Sequence, residues 1–95
     1  MAQSNEAPVE PGTWLGANKV VASIPHPDGL RVLVISINEY RETEYASVRW
    51  YNPGELEPLT PTKKGVTFPL EWLGQVIDGL ESAAETPVYE KSFGR

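Results

Sequence analysis

RVLVISINEYRETEYASVRWYNPGELEPLTPTKKGVTFP, residues 31–69, decides how this chain folds. It opens on a β-branched run, Val32 to Ile37, and reaches a second run that ends Val48-Arg49-Trp50-Tyr51. Such residues suit a pleated, half-buried surface. Two such runs joined by a short polar link read as an antiparallel hairpin. Strands are expected over residues 30–41 and 44–51, with Glu42-Thr43 as the tight turn between them. Asn52-Pro53-Gly54 breaks the chain, because proline fixes φ and glycine accepts unusual backbone angles. A weaker strand follows within residues 59–68, centred on Gly65-Val66-Thr67-Phe68.

Working outward, KVVASIP over residues 19–25 reads as a strand ahead of the hairpin, closed by a His26-Pro27-Asp28-Gly29 turn. On the other side, Pro69 opens a helix, where its missing N–H costs nothing. Leu70, Leu73, Val76, Ile77 and Leu80 recur at three- and four-residue spacings and make one apolar stripe, flanked by Trp72. Gly74 and Gly79 weaken that helix by roughly 1 kcal/mol each relative to alanine, so it depends on packing, and a second copy is a natural partner. The expected fold is α+β: a curved four-stranded antiparallel sheet followed by one C-terminal helix, dimeric. Residues 1–17, rich in proline and glycine, are expected as a flexible arm in which only Trp14-Leu15 is a candidate to dock. Residues 18–84 form the domain and residues 85–95 a polar tail.

Side chains alternate across a strand. Leu33, Ile35 and Ile37 therefore share one face with Ala46, Val48 and Trp50, and this is the expected core side. Ser36, Asn38 and Tyr40 share the other with Tyr45, Ser47, Arg49 and Tyr51. That outer face is aromatic and polar, with Lys63 and Lys64 nearby. Aromatics on strands commonly serve packing alone, and Lys63-Lys64 can equally guard a sheet edge. The same set would also suit a flat polyanion, since bases stack on aromatic rings and cations meet phosphates.

Composition narrows the alternatives. The chain has 95 residues, enough for one small domain, and no cysteine, which removes disulfides and thiolate zinc sites. A reducing, cytoplasmic setting is expected, nucleoid-associated if the source is bacterial. The longest apolar run is too short to span a membrane, and nothing near residue 1 reads as a secretory signal. Net charge is −5, but residues 19–68 carry as many bases as acids, and the deficit lies outside them. His26 is the lone histidine, in a proline-flanked turn, and no nucleophile–base pair accompanies it. Lys63-Lys64-Gly65 lacks the glycine-rich lead of a phosphate-binding P-loop. No enzyme, metal or cofactor is expected.

ISINEYR, YASVRWY and PTKKGVTFPLEWLGQVI, in that order, resemble the transcriptional coactivator family called positive cofactor four, above all its bacterial members. The resemblance spans residues 19–83. It implies a curved four-stranded sheet, a helix, a homodimer joined through helices and sheet edges, and sequence-tolerant binding of single-stranded or melted DNA in transcription or in handling opened DNA. The positions it implies are Tyr40 and Arg41, Arg49 with Tyr51, and Lys64; Lys63 beside it is added as an electrostatic contact on the residues alone. Trp50 would replace Tyr51 if the register slipped by one. The chain departs from the family where Asn38 replaces a common base and where Glu39, Glu42 and Glu44 crowd the hairpin. Expected partners are single-stranded DNA, a second copy and the transcription machinery. The alternatives are RNA as the ligand, and a protein-interaction module that keeps the fold with little nucleic-acid affinity.

Overall fold

The computed structural model of the chain describes residues 8–54 and 59–87. Five strands form one antiparallel sheet in sequence order: β1 (Trp14–Leu15), β2 (Asn18–Pro25), β3 (Val32–Tyr40), β4 (Thr43–Pro53) and β5 (Leu59–Pro69). A single 3₁₀ turn, Leu70–Trp72, leads into α1 (Leu73–Glu85). Among the described residues, no helix is long and apolar enough to cross a membrane.

The expected strands and helix are present, with one strand more than the sequence suggests. β1 pairs with β2 through Trp14 opposite Lys19 and Leu15 opposite Asn18. Ahead of it, Val9 and Ser23 are bonded reciprocally. The Val9 N–H donates to Ser23 Oγ at 2.9 Å, and Ser23 Oγ donates to the Val9 carbonyl at 2.8 Å. Gly12 N–H donates to the Val20 carbonyl and Val20 N–H to the Thr13 carbonyl. Residues 8–17 are therefore part of the fold rather than an arm. The remainder of the expected arm, residues 1–7, and most of the expected tail, residues 88–95, lie outside the described residues.

The hairpin turn also differs by one position. Tyr40 pairs with Thr43, and Arg41 and Glu42 occupy the turn with φ of 53° and 67°. Two consecutive positive φ values match the twist of the flanking strands. For L-residues other than glycine they carry a steric cost of roughly 1–2 kcal/mol each.

The alternation along β3 and β4 holds, but the buried residues of β3 lie on the face expected outside, while β4 is buried on both faces, through Ala46 on one and Ser47 and Tyr51 on the other. Val32, Val34 and Ser36 are buried, whereas Leu33 and Ile35 are half-buried and Ile37 is exposed. The core is Val20, Val32, Val34 and Tyr51, with Val9, Leu15 and Leu59 packed on it. The N-terminal segment supplies two of those three covering residues, so the face it crosses becomes the interior. The opposite face keeps Ile24 and Val66 exposed, and α1 buries none of its residues. Among the described residues, nothing covers Ile24 and Val66 on the sheet or the apolar stripe of the helix.

Two irregularities curl the sheet. Val21 is an extra residue between the Val20–Ser36 and Ala22–Ile35 pairs. Between Arg49–Gly65 and Tyr51–Pro61, Trp50 on β4 faces Thr62, Lys63 and Lys64 on β5. Such bulges bend a strand and re-aim its side chains.

Candidate nucleic-acid interface

Cross-strand pairs place Tyr40, Asn38, Tyr45, Ser36, Ser47 and Arg49 on the same face of the β3–β4 ribbon as the core residues Val32, Val34 and Tyr51. Ser36 and Ser47 are buried, whereas Asn38, Tyr45 and Arg49 are half-buried and Tyr40 is exposed, so this face opens toward the hairpin end. Thr67 and Gly65, opposite Ser47 and Arg49, extend that face onto β5. No carboxylate occupies a strand position on this face. Glu39 and Glu44 oppose each other on the other face, where they line a cleft with Glu42, Leu70 and Glu71. The acidic crowding expected at the hairpin is therefore largely turned away, and that cleft is unsuited to a polyanion.

Arg49 is held in place. Its Nη1 donates to the Thr62 carbonyl at 3.1 Å and its Nη2 to Thr67 Oγ1 at 3.2 Å. Gly65 lies opposite it, and a Cβ there would come within 2.5 Å of the Val48 carbonyl oxygen and 2.7 Å of the Cα and Cβ of Arg49. The glycine serves close approach of two strands.

The bulge beside Arg49 has its own support. Thr62 Oγ1 donates to the Trp50 carbonyl at 2.8 Å and accepts from the Lys64 N–H at 3.1 Å. One hydroxyl thus satisfies two backbone groups that the irregular ladder leaves over. Lys63 and Lys64 are exposed on this bulge, and among the described residues neither forms an ion pair.

At the hairpin end, the Tyr40 ring is 59% exposed. The Arg41 guanidinium carbon lies 5.1 Å from the ring centroid, within cation–π range. From the Tyr40–Thr43 pair to Arg49 is six residues along β4, or about 20 Å at strand rise. Between them, Asn38 and Tyr45 are half-buried and Ser36 and Ser47 are buried, and none carries a charge at neutral pH.

Trp50 and Tyr51 do not join this group. Tyr51 is 4% exposed and belongs to the core, so its ring offers no free surface to a base. Trp50 projects to the opposite face, beside Leu33 in register, and meets the His26 ring edge-on at 5.3 Å between centroids. Of the seven expected residues, Tyr40 and Arg49 share one face of the β3–β4 ribbon, Lys63 and Lys64 are exposed on the β5 bulge next to Arg49, and Arg41 is exposed in the hairpin turn. Thr62 and Thr67 were missed. Their only sequence signal is a hydroxyl residue on each side of Lys63-Lys64-Gly65.

The His26–Arg31 turn is a separate polar cluster. Asp28 accepts from the N–H groups of Leu30 and Arg31 and from Arg31 Nε at 2.8 Å. The Leu30 N–H bond and then the Arg31 guanidinium hold its carboxyl well below the ordinary carboxylate range. This turn follows β2, with the Arg31 guanidinium engaged by Asp28 through Nε and lying 3.2 Å from the His26 ring through Nη2.

No protein-family model and no curated protein matches the sequence. Two crystal forms of BPSL1147, a PC4 homologue from Burkholderia pseudomallei, match the structure. The orthorhombic form superposes with a TM-score of 0.66 at 27% identity, over 79% of this chain and 100% of that one. The tetragonal form gives 0.62 at 30% identity, over 70% of this chain and 97% of that one. With nearly the whole of that relative covered at such identity, and the same sheet followed by one helix, this chain belongs to the PC4 homologue family.

Proposed function

We propose that the protein binds single-stranded DNA, with little sequence preference, across the face carrying Tyr40, Arg49, Lys63 and Lys64, and that it does so as a homodimer. The observation that carries this reading is the charge arrangement. A chain of net charge −5 presents a sheet face without a strand carboxylate, which carries an anchored arginine and is bordered by a bulge with two exposed lysines that form no ion pair among the described residues. A base stacked on Tyr40 contributes about 1–3 kcal/mol whatever its identity, because every base has a π-face. Arg49, Lys63 and Lys64 meet phosphates, and Arg41 supplies a fourth cation at the hairpin. Duplex DNA keeps its bases stacked inside and offers none to Tyr40.

The dimer reading rests on uncovered apolar surface. Ile24, Val66, Trp72, Ile77 and Leu80 are all exposed in the single chain. Exposed apolar surface on this scale marks an interface in small proteins, and a second copy of the same chain fits membership of the family. The cellular role we assign is in transcription, or in handling DNA while it is open, inside the cytoplasm.

The test is a titration of labelled oligo-dT and of a duplex of equal length at several salt concentrations, read by fluorescence anisotropy. Binding of the single strand that weakens with salt and exceeds binding of the duplex supports the reading. A parallel oligo-rU titration separates DNA from RNA, since neither stacking nor phosphate contact distinguishes the sugars. No binding at low salt would favour a protein-interaction module, for which the uncovered apolar face would be the docking surface.

A further inference from the structure

We infer that Thr67 is a positioning residue for nucleic-acid binding: together with the Thr62 carbonyl it holds the Arg49 guanidinium in its binding orientation before the ligand arrives. The inference rests on the functional reading above and adds residues that the sequence does not single out.

A guanidinium carries five N–H donors. Two are engaged here, one from each terminal nitrogen, by Thr62 and Thr67. Both acceptors lie on β5, three residues before and two residues after Gly65, so the planar group is tied at two points across the β4–β5 boundary. A planar group tied at two points cannot swing about its long stem. The remaining three donors, including Nε–H, stay available for a phosphate or a base edge, and a guanidinium suits bidentate contact with either. Gly65 completes the arrangement, because any side chain there would collide with the backbone and Cβ of Arg49.

The position of Thr67 argues for this role over a purely structural one. Its side chain is exposed, so its hydroxyl is not needed to satisfy a buried group. The Thr62 hydroxyl, by contrast, already bridges the Trp50 carbonyl and the Lys64 N–H. The two threonines divide the work: Thr62 shapes the bulge that displays the lysines, and Thr67 orients the arginine beside them. Ordering a long side chain at an interface opposes binding, so an arginine ordered in advance binds more tightly.

The experiment is a double-mutant cycle on the full chain, with oligo-dT affinity as the readout and thermal unfolding alongside. Thr67→Val keeps the shape and removes the hydroxyl. It is expected to weaken binding about three- to tenfold, the range set by immobilising one long side chain. Thr67→Ser should restore most of that affinity, and the melting temperature should stay near that of the parent in both. In an Arg49→Ala background, Thr67→Val should change nothing further, because the group it orients is gone. Equal losses in both backgrounds would overturn the inference, as would an unchanged affinity for Thr67→Val when Arg49→Ala alone weakens binding. If Arg49→Ala itself leaves oligo-dT affinity unchanged, the functional reading of this face fails and the inference fails with it.

Discussion

Replacing Gly65 by alanine adds one methyl group at the tightest contact between β4 and β5. That methyl would sit 2.5 Å from the Val48 carbonyl oxygen and 2.7 Å from the Cα and Cβ of Arg49. Two of those three atoms are backbone, so no side-chain rotation relieves the clash, and one strand must move. Forcing extra volume into a packed site costs about 1–3 kcal/mol. β5 is an edge strand and yields more easily than a central one, which places the expected loss in the lower half of that range. The shift would also carry Thr62 and Thr67 away from the guanidinium, so oligo-dT affinity should fall together with stability. Gly74→Ala is the matched control. It lies in α1 with nothing within 4 Å of the added Cβ, and it should stabilise by up to about 1 kcal/mol through helix propensity. Urea unfolding at one fixed protein concentration measures both, since dimerisation makes stability concentration-dependent. A Gly65→Ala variant as stable as the parent, with unchanged affinity, would refute the close-contact argument.

Other perturbations probe separate parts of the account. Tyr40→Ala should cost about 1–3 kcal/mol of single-strand affinity by loss of stacking while leaving the salt slope unchanged. Lys64→Ala should instead flatten the slope of log affinity against log salt by about 0.7, the value for one phosphate contact on a single strand. Leu80, 66% exposed on the helix stripe, should be essential to the dimer: Leu80→Asp should sediment as a monomer at concentrations where the parent and Glu81→Lys remain dimeric. The Asp28 carboxyl is depressed below its ordinary value of 3.8, so its contribution to stability is fully present above that pH and is lost as pH falls below it. The urea midpoint of the parent should therefore exceed that of Asp28→Asn at neutral pH, and the gap should begin to narrow only once the pH falls below 3.8.

Much of this arrangement is legible in the sequence, and the limits have physical causes. The period-two pattern sorted every residue of β3 and β4 onto its proper face, because alternation follows from the backbone alone. It did not tell which face is inside. Val32-Leu33-Val34-Ile35 is apolar on both sides, as in strands covered on both faces, and the larger side chains drew the expectation of a core. The interior lies on the other side because Val9 and Leu15 cover it, held by bonds from Val9 to Ser23 across fourteen residues of chain. A proline- and glycine-rich segment with a two-residue strand has no periodicity to announce that. The Arg41-Glu42 turn contains neither glycine nor asparagine, so its positive φ values leave no local trace. Tyr51 shares the Arg49 face, but it pairs with Val32 at the end that Val9, Leu15 and Leu59 pack against, so it is core and not a stacking platform. Thr62 and Thr67 become recognisable only once the bulge at Trp50 is known, because the bulge sets which β5 residues Arg49 can reach.

The claim that single-stranded DNA lies on the Arg49 face is tested most directly by following backbone amide chemical shifts during an oligo-dT titration. The account predicts the largest changes at Asn38, Tyr40, Arg49, Lys64, Gly65 and Thr67, with little change at Leu33, Ile35, Val48 and the α1 stripe. Changes concentrated on the Leu33–Ile35 face, or none at low salt, would contradict it.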